Sequence, residues 1–515
     1  MKVLSVLACG PAVLAAALVT ACTIDDYARD DVGVLARDGI TLASVSFDQG
    51  VAVDVWSATG SIAPSQRPTI LIADRPAYVR AVWDVPETWT PRTIVAALEI
   101  TDAEGVVSSE LRRRTIEGNG DLRTPEGAFD WLVPGEQMQA AASWRVALYE
   151  EGGAELDALG PPAARLPRGG GPVGVVAGKH EIDVRIVPID HRFDGPMECE
   201  GPPVFDEARQ VDLREYLARI NPTASVHIDV RDEPMIWEQS AGNLGLILDA
   251  LSALREADGA PPHVYYYGAI DPCDWGSTAG FAGLARVPNE VTRAYAWKRV
   301  AVGDMRRPGH ASLETFVHEV GHNQGRRHIE CKGNEGNPAP DYPFPMGDIG
   351  SYGFDHIRWA LHPPSHADYM SYCDPTWVGT YGWNLVEPVI RTLTSWKYAA
   401  PGSADTSDAR RTLMIGVYDG VARTSWVRAG PPSSSTRRPA LLEGPGGTVA
   451  RAAIATQRDA RGVVHLEIPL ETIEWVPMYL RLLDMDDGRA HPGMMRASRL
   501  QVPERFAGAA VREHR

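Results

Sequence analysis

The chain has 515 residues, 44% of them hydrophobic and 23% charged, a globular composition that excludes collagen, a long coiled coil and wholesale disorder. At roughly 150 residues per domain, the length suggests about three domains. The 50 Lys and Arg against 67 Asp and Glu give a formal net charge of −17, and so acidic a surface repels phosphate backbones and argues against a nucleic-acid partner.

Met1 to Ala21 combines a lone Lys2 with an almost wholly apolar or small run from Val3 to Val19, the pattern of a secretory leader. Its end, Leu18, Val19, Thr20, Ala21, Cys22, resembles a bacterial lipobox, which implies that Cys22 becomes the lipidated first residue of an exported, membrane-anchored cell-envelope lipoprotein. Acyl chains would anchor the protein without spanning the membrane, and Asp25, Asp26, Asp30 and Asp31 suit a solvated tether over 22–33. No later stretch approaches the roughly 20 apolar residues that cross a bilayer.

From 34 to 150, short β-branched and aromatic runs alternate with turn-rich pieces: Thr69 to Ile72, Tyr78 to Trp83, Ile94 to Ile100 and Trp144 to Tyr149. That pattern predicts a β-sandwich. Arg112, Arg113 and Arg114 read as a solvated charge cluster rather than a processing site. Residues 151–174 are dense in Pro, Gly and Arg and read as a linker. A literal GxGxxG from Gly169 to Gly174 carries no phosphate-binding meaning there, because no strand precedes it and Pro172 interrupts it.

Between 175 and 400 strands and helices alternate. Val184 to Ile189, Ser225 to Val230, His263 to Ile270 and Arg299 to Val302 read as strands, and Asp212 to Ile220 as a helix. Leu244, Leu248, Leu251 and Leu254 share one helical face, so a second helix should pack across the sheet. A short linker over 401–410 precedes a C-terminal β domain over 411–505, with strands at Leu413 to Tyr418, Val463 to Ile468 and Met478 to Leu483.

With Cys9 in the leader and Cys22 lipidated, Cys199, Cys273, Cys331 and Cys373 remain. Export to an oxidising compartment predicts two disulfides, with three possible pairings. The cysteines lack the close spacing of a zinc ribbon.

The most informative segment is His318, Glu319, Val320, Gly321, His322, Asn323, Gln324, Gly325, Arg326, Arg327, His328, or HExxHxxGxxH. Residues four apart on a helix share a face, so His318 and His322 can reach one ion. Gly325 can take the left-handed conformation that ends a helix and turns the chain back, which lets His328 supply a third ligand. Three protein ligands leave a position open, the mark of a catalytic rather than a structural Zn2+ site. For this composition HExxH arises by chance in roughly 2% of such chains, and the added Gly and His lower this to about 6 in 100,000, which sets aside chance decoration of a helix. Leu313, Phe316 and Val317 supply the buried face of that helix.

The segment resembles the signature of the metzincin clan of zinc metallopeptidases, and Asp368, Tyr369, Met370, Ser371, Tyr372, Cys373 resembles the methionine turn that follows it in that clan. The resemblance covers about 175–400. It implies a mixed α+β catalytic domain, a twisted sheet with an active-site helix, flanked here by two β-sandwich-like domains. It further implies that Met370 forms a hydrophobic floor beneath the metal, that Glu319 is the general base, and that Tyr372 touches the metal or stabilises the oxyanion. Gly283, Leu284, Ala285 and Arg286, within Gly283 to Pro288, resemble the edge strand that pairs with an extended substrate. A Cys331–Cys373 disulfide would tie the third-ligand loop to the methionine turn and leave Cys199 to pair with Cys273. Leu385, Val389, Ile390, Leu393 and Trp396 suggest a closing helix.

The implied activity is zinc-dependent cleavage of extracellular or periplasmic proteins, glycoproteins among them. The competing reading is a surface adhesin or glycan-binding lipoprotein with a vestigial zinc site, but nothing in the ligand set is degenerate. His310, His356, His362 and His366 read as surface or supporting groups, and Asp341, Asp348 and Asp355 as loop residues that match no EF-hand. Residues 23–198 hold no cysteine, which excludes a cysteine switch from that region.

Overall fold

A computed structural model describes residues 35–151, 165–194, 198–274, 282–288, 290–306 and 310–399, together with strands between 411 and 501. The leader, Cys22, the tether over 22–33 and the linker over 401–410 lie outside the described residues. Among the described residues, no helix is long and apolar enough to cross a membrane.

Two antiparallel sheets pack face to face at the N-terminal end. One centres on Thr41–Asp48 and Ala77–Asp84, the other on Arg92–Thr101, which lies between Val107–Ile116 and Ser143–Glu150. Alternation along Arg92–Thr101 sends Ile94, Ala96, Leu98 and Ile100 into a core shared with Val45, Phe47, Val79 and Trp131 of the facing sheet. Phe47 and Trp144 meet edge-on across it, ring centroids 6.1 Å apart. Arg112 and Arg114 lie within the paired strand Val107–Ile116, with Glu110 and Asp130 as ion-pair partners.

The expected linker over 151–174 needs correction. Arg165–Pro172 is a strand antiparallel to Ser143–Glu150, with Leu166 opposite Val146 and Gly171 opposite Trp144. The register breaks between Leu166 and Gly171, so the glycine run is absorbed as an irregularity of an edge strand, where Pro costs no ladder bond. Val175 and Val176 then pair with Leu71 and Ile72, so this unit runs to Val176 rather than 150.

In the central domain Ser225–Val230, Glu181–His191, Tyr265–Ile270 and Val300–Asp304 lie side by side and parallel; Gly283–Ala285 adds antiparallel to the last at the edge, and Met235–Trp237 pairs with the far half of Glu181–His191. Helices α1 (Glu207–Ile220), α3 (Ala311–Asn323) and α4 (Thr380–Lys397) share one core with Val184, Ile186, Tyr267 and Ala301. Helix α2 (Leu244–Ala257) covers the other face, burying Leu244, Leu248, Leu251 and Leu254 against Val187, Ile189, Tyr266 and Val302. Helices on both faces explain why Tyr265–Ile270 is buried throughout instead of alternating.

Among the described residues, the C-terminal region forms one antiparallel sheet of seven strands, in which Val421–Ala429 and Leu500–Gln501 stand at opposite ends of the strand order yet touch, so the sheet curls on itself. Its apolar positions, Leu413, Ile415, Leu442, Ile454, Leu466 and Ile468, cluster together on the inside of that curl, and among the described residues no second sheet faces it. Val421–Ala429 packs on α2, and Met414 packs on Trp297.

Candidate metal centre

Helix α3 buries Leu313, Phe316, Val317 and Val320, the i, i+3, i+4, i+7 stripe that fixes its rotation. That rotation puts His318 and Glu319 into the lining of a cleft of about 440 Å³. The helix ends at Asn323, and Gly325 just beyond the cap has a left-handed φ of +90°, while Arg326 N donates back to Gly321 O at 3.0 Å. The reversed chain brings His328 to the two helical histidines, and one ring nitrogen from each lies within 4.8 Å of the others.

Each imidazole is held by a backbone carbonyl. His318 Nδ1 lies 3.0 Å from Tyr369 O, His322 Nδ1 2.8 Å from Arg326 O and His328 Nδ1 2.7 Å from Gly336 O. A carbonyl only accepts, so each Nδ1 carries a proton, which in a neutral ring leaves Nε2 as the lone-pair nitrogen. His322 Nε2 and His328 Nε2 stand 3.1 Å apart. Two facing lone pairs repel; a cation between them satisfies both, and tetrahedral N–metal bonds of about 2.0–2.1 Å place such nitrogens about 3.3 Å apart. Burial, with His328 alongside, lowers the His318 imidazole to about 4, and burial among the other two histidines holds His322 well below its ordinary value. Both stay neutral, as metal ligation requires.

The segment from Asp368 to Cys373, expected to form the methionine turn, packs against α3. Met370 is fully buried, and a Cβ on Gly321 would stand 2.6 Å from its Sδ. Ile329 N donates to Met370 O at 3.0 Å. Arg326, in the bend before His328, forms a buried ion pair with Asp368 at 2.9 Å, and the same Asp368 oxygen accepts from Met370 N at 2.9 Å. Cys331 and Cys373 are disulfide-bonded, as are Cys199 and Cys273. Tyr372 Oη lies 3.1 Å from His328 Nε2.

Glu319 lines the cleft beside the edge strand: a Cβ on Gly283 would come within 2.7 Å of its carboxylate. Only glycine allows that approach. Among the four residues expected to form the substrate-facing strand, Arg286 requires correction. The strand ends at Ala285, and the Arg286 side chain turns inward, ion-paired with Asp249 and lying over the Trp297 ring at 5.1 Å. Asp249 Oδ1 in turn lies 3.0 Å from His465 Nε2 of the C-terminal sheet. A buried guanidinium needs a partner, and α2 supplies it, so this side chain anchors the strand.

Sequence reasoning missed Arg326, Asp368, Gly321 and Asn323 as parts of the centre. Asn323 Nδ2 donates to Arg286 O at 2.8 Å and Val300 O at 2.9 Å, which ties α3 to the edge strand. The small residue between the ligand histidines was the available signal for Gly321. The Arg326–Asp368 pair spans 42 residues and leaves no local signature.

The chain matches no protein-family profile and no curated protein sequence. Among solved structures, β-glucuronidase 2 of Bacteroides uniformis, covalently bound to cyclophellitol-6-carboxylate aziridine, aligns at 11% identity and a TM-score of 0.13 over 84% of this chain and 61% of that one. The chain thus spans less than two thirds of that protein, and so low a TM-score conveys no shared fold.

Proposed function

We propose that the chain is a zinc-dependent endopeptidase of metzincin type, exported and tethered through lipidated Cys22, that cleaves extracellular or periplasmic proteins, glycoproteins included. The observation that carries this reading is the set of three carbonyl-anchored imidazoles with one ring nitrogen of each within 4.8 Å of the others, the arrangement that three ligands to one cation would take. The donor set fits zinc, with His318, His322 and His328 as ligands. Bound there, Zn2+ supplies Lewis acidity and lowers the pKa of water toward 7.

Glu319 has the position of a general base: it sits in the cleft one residue from a ligand histidine, takes a proton from the attacking water and returns it to the leaving amine. The Tyr372 hydroxyl, beside His328 and half-exposed, donates to the oxyanion that develops on the substrate carbonyl. The edge strand Gly283–Ala285 offers backbone groups to an extended substrate, which places the scissile bond across Glu319. Arg286 holds that strand from behind.

The test is digestion of a peptide library by the full chain, with and without chelator, beside Glu319→Gln. The expected result is chelator-sensitive cleavage that falls by about 10²–10⁴-fold in Glu319→Gln while zinc is retained. Stoichiometric zinc and glycoprotein binding without chelator-sensitive cleavage would favour the adhesin instead.

A further inference from the structure

The N-terminal sandwich meets the central domain through buried polar contacts centred on Arg75. This residue follows the strand Leu71–Ile72 and is 2% exposed. Its Nη1 donates to Ala218 O and Thr223 O, both at 2.7 Å, and its Nη2 to Arg219 O at 3.1 Å. A helix leaves the carbonyls of its last turn without internal partners. In α1 Asn221 Nδ2 takes Leu217 O at 2.9 Å, and an arginine from another domain takes the next two carbonyls.

The arginine itself is held firmly. Its Nε donates to Gln49 O at 2.6 Å, and Gln49 Nε2 donates back to Arg75 O at 2.7 Å. Its guanidinium lies 5.3 Å from the Trp383 ring centroid. Burial lowers its pKa to about 10, which leaves it charged at neutral pH. Gly50 brings the sandwich backbone so close that a Cβ there would stand 3.0 Å from Arg219 O.

The same last turn of α1 is a wall of the cleft, through Tyr216, Arg219 and Ile220. Among the described residues, none of the sandwich lines the cleft. A latency segment would plug the site from the front; this unit grips its wall from behind.

We propose that Arg75 is a positioning residue and that the N-terminal sandwich is a permanent brace behind the wall of the substrate cleft, neither a removable propeptide nor a spacer. The substrate-binding half of this inference rests on the peptidase reading; the structural half does not. In the full chain, Arg75→Met removes the fork of donors and Arg75→Lys keeps the charge without it. With a peptide that the unaltered protein cleaves, Arg75→Met should raise KM at least about tenfold, leave kcat within about threefold and leave zinc content unchanged. Hydrogen exchange of amides 216–224 should quicken at least about tenfold, with α3 unaffected and Arg75→Lys intermediate. A lowered melting temperature with unaltered KM and unaltered exchange over 216–224 would overturn the proposal. If Arg75→Met does not fold, the same criteria apply to Arg75→Lys. If the unaltered protein cleaves no peptide, the peptidase reading fails, and exchange alone decides the role of Arg75: faster exchange confined to 216–224 upholds it, unaltered exchange overturns it.

Discussion

Gly321 stands between His318 and His322 of α3 because Met370 and Tyr369 leave no room for a side chain. An added Cβ would lie 2.6 Å from Met370 Sδ and 3.1 Å from the Tyr369 ring. Tyr369 also holds His318 through its carbonyl, so displacing it moves a ligand as well as the floor. Gly321→Ala should therefore cost about 1–3 kcal/mol in urea unfolding and weaken zinc binding. A variant as stable and as zinc-avid as the unaltered protein would show that the contact is loose. Gly283 has the same logic on the opposite side, since its missing Cβ makes space for the Glu319 carboxylate.

Among the elements, the bend after α3 and the methionine turn behave as one piece, joined by the Arg326–Asp368 pair, the Ile329–Met370 bond and the Cys331–Cys373 disulfide. Removing one partner of a buried ion pair strands the other charge, so Arg326→Met should cost about 3–5 kcal/mol by chemical denaturation; a loss under 1 kcal/mol would refute that role. Replacing Cys331 and Cys373 by Ser opens a loop of 42 residues, worth about 4 kcal/mol in chain entropy, with weakened zinc retention as the accompanying readout. The hairpin Gly353–Asp355 and Ala360–His362, ahead of the turn, adds a pH dependence. Burial, with His366 beside it, lowers the His362 pKa from 6.5 to about 4. The unfolded chain takes up that proton near 6.5 and the folded chain only near 4, so the stability this neutral ring confers is present above 6.5 and is lost as pH falls toward 4. His362→Phe keeps a ring stacked 3.9 Å from Trp377, and its stability should decline less between pH 7 and 5; equal declines would contradict the assignment. Of these elements, α2, α3 and α4 were legible in sequence because leucine spacing and the HExxH periodicity report local geometry. The ties between them were not, because Arg326, Asp368 and Asn323 act across tens of residues and resemble ordinary polar surface in any short window.

At the scale of the whole molecule, both outer units brace elements that border the proposed site. The sandwich caps α1 through Arg75, and the C-terminal sheet reaches Arg286 through His465 and Asp249. Strand runs in both outer units were readable from alternation, yet the Gly- and Pro-rich stretch ahead of the central domain read as a linker although Arg165–Pro172 completes a sheet edge. Composition reports local stiffness, whereas an edge strand is decided by the partner waiting for it. Likewise, strand count alone does not distinguish two packed sheets from one that curls. The central claim is that His318, His322 and His328 together hold one zinc ion, and elemental analysis of the full chain, purified without added metal and then titrated with Zn2+, addresses it most directly. One tightly held zinc per chain, lost in His328→Ala but kept in Glu319→Gln, is the predicted result; no bound zinc in the unaltered chain, or equal zinc in His328→Ala, would contradict it.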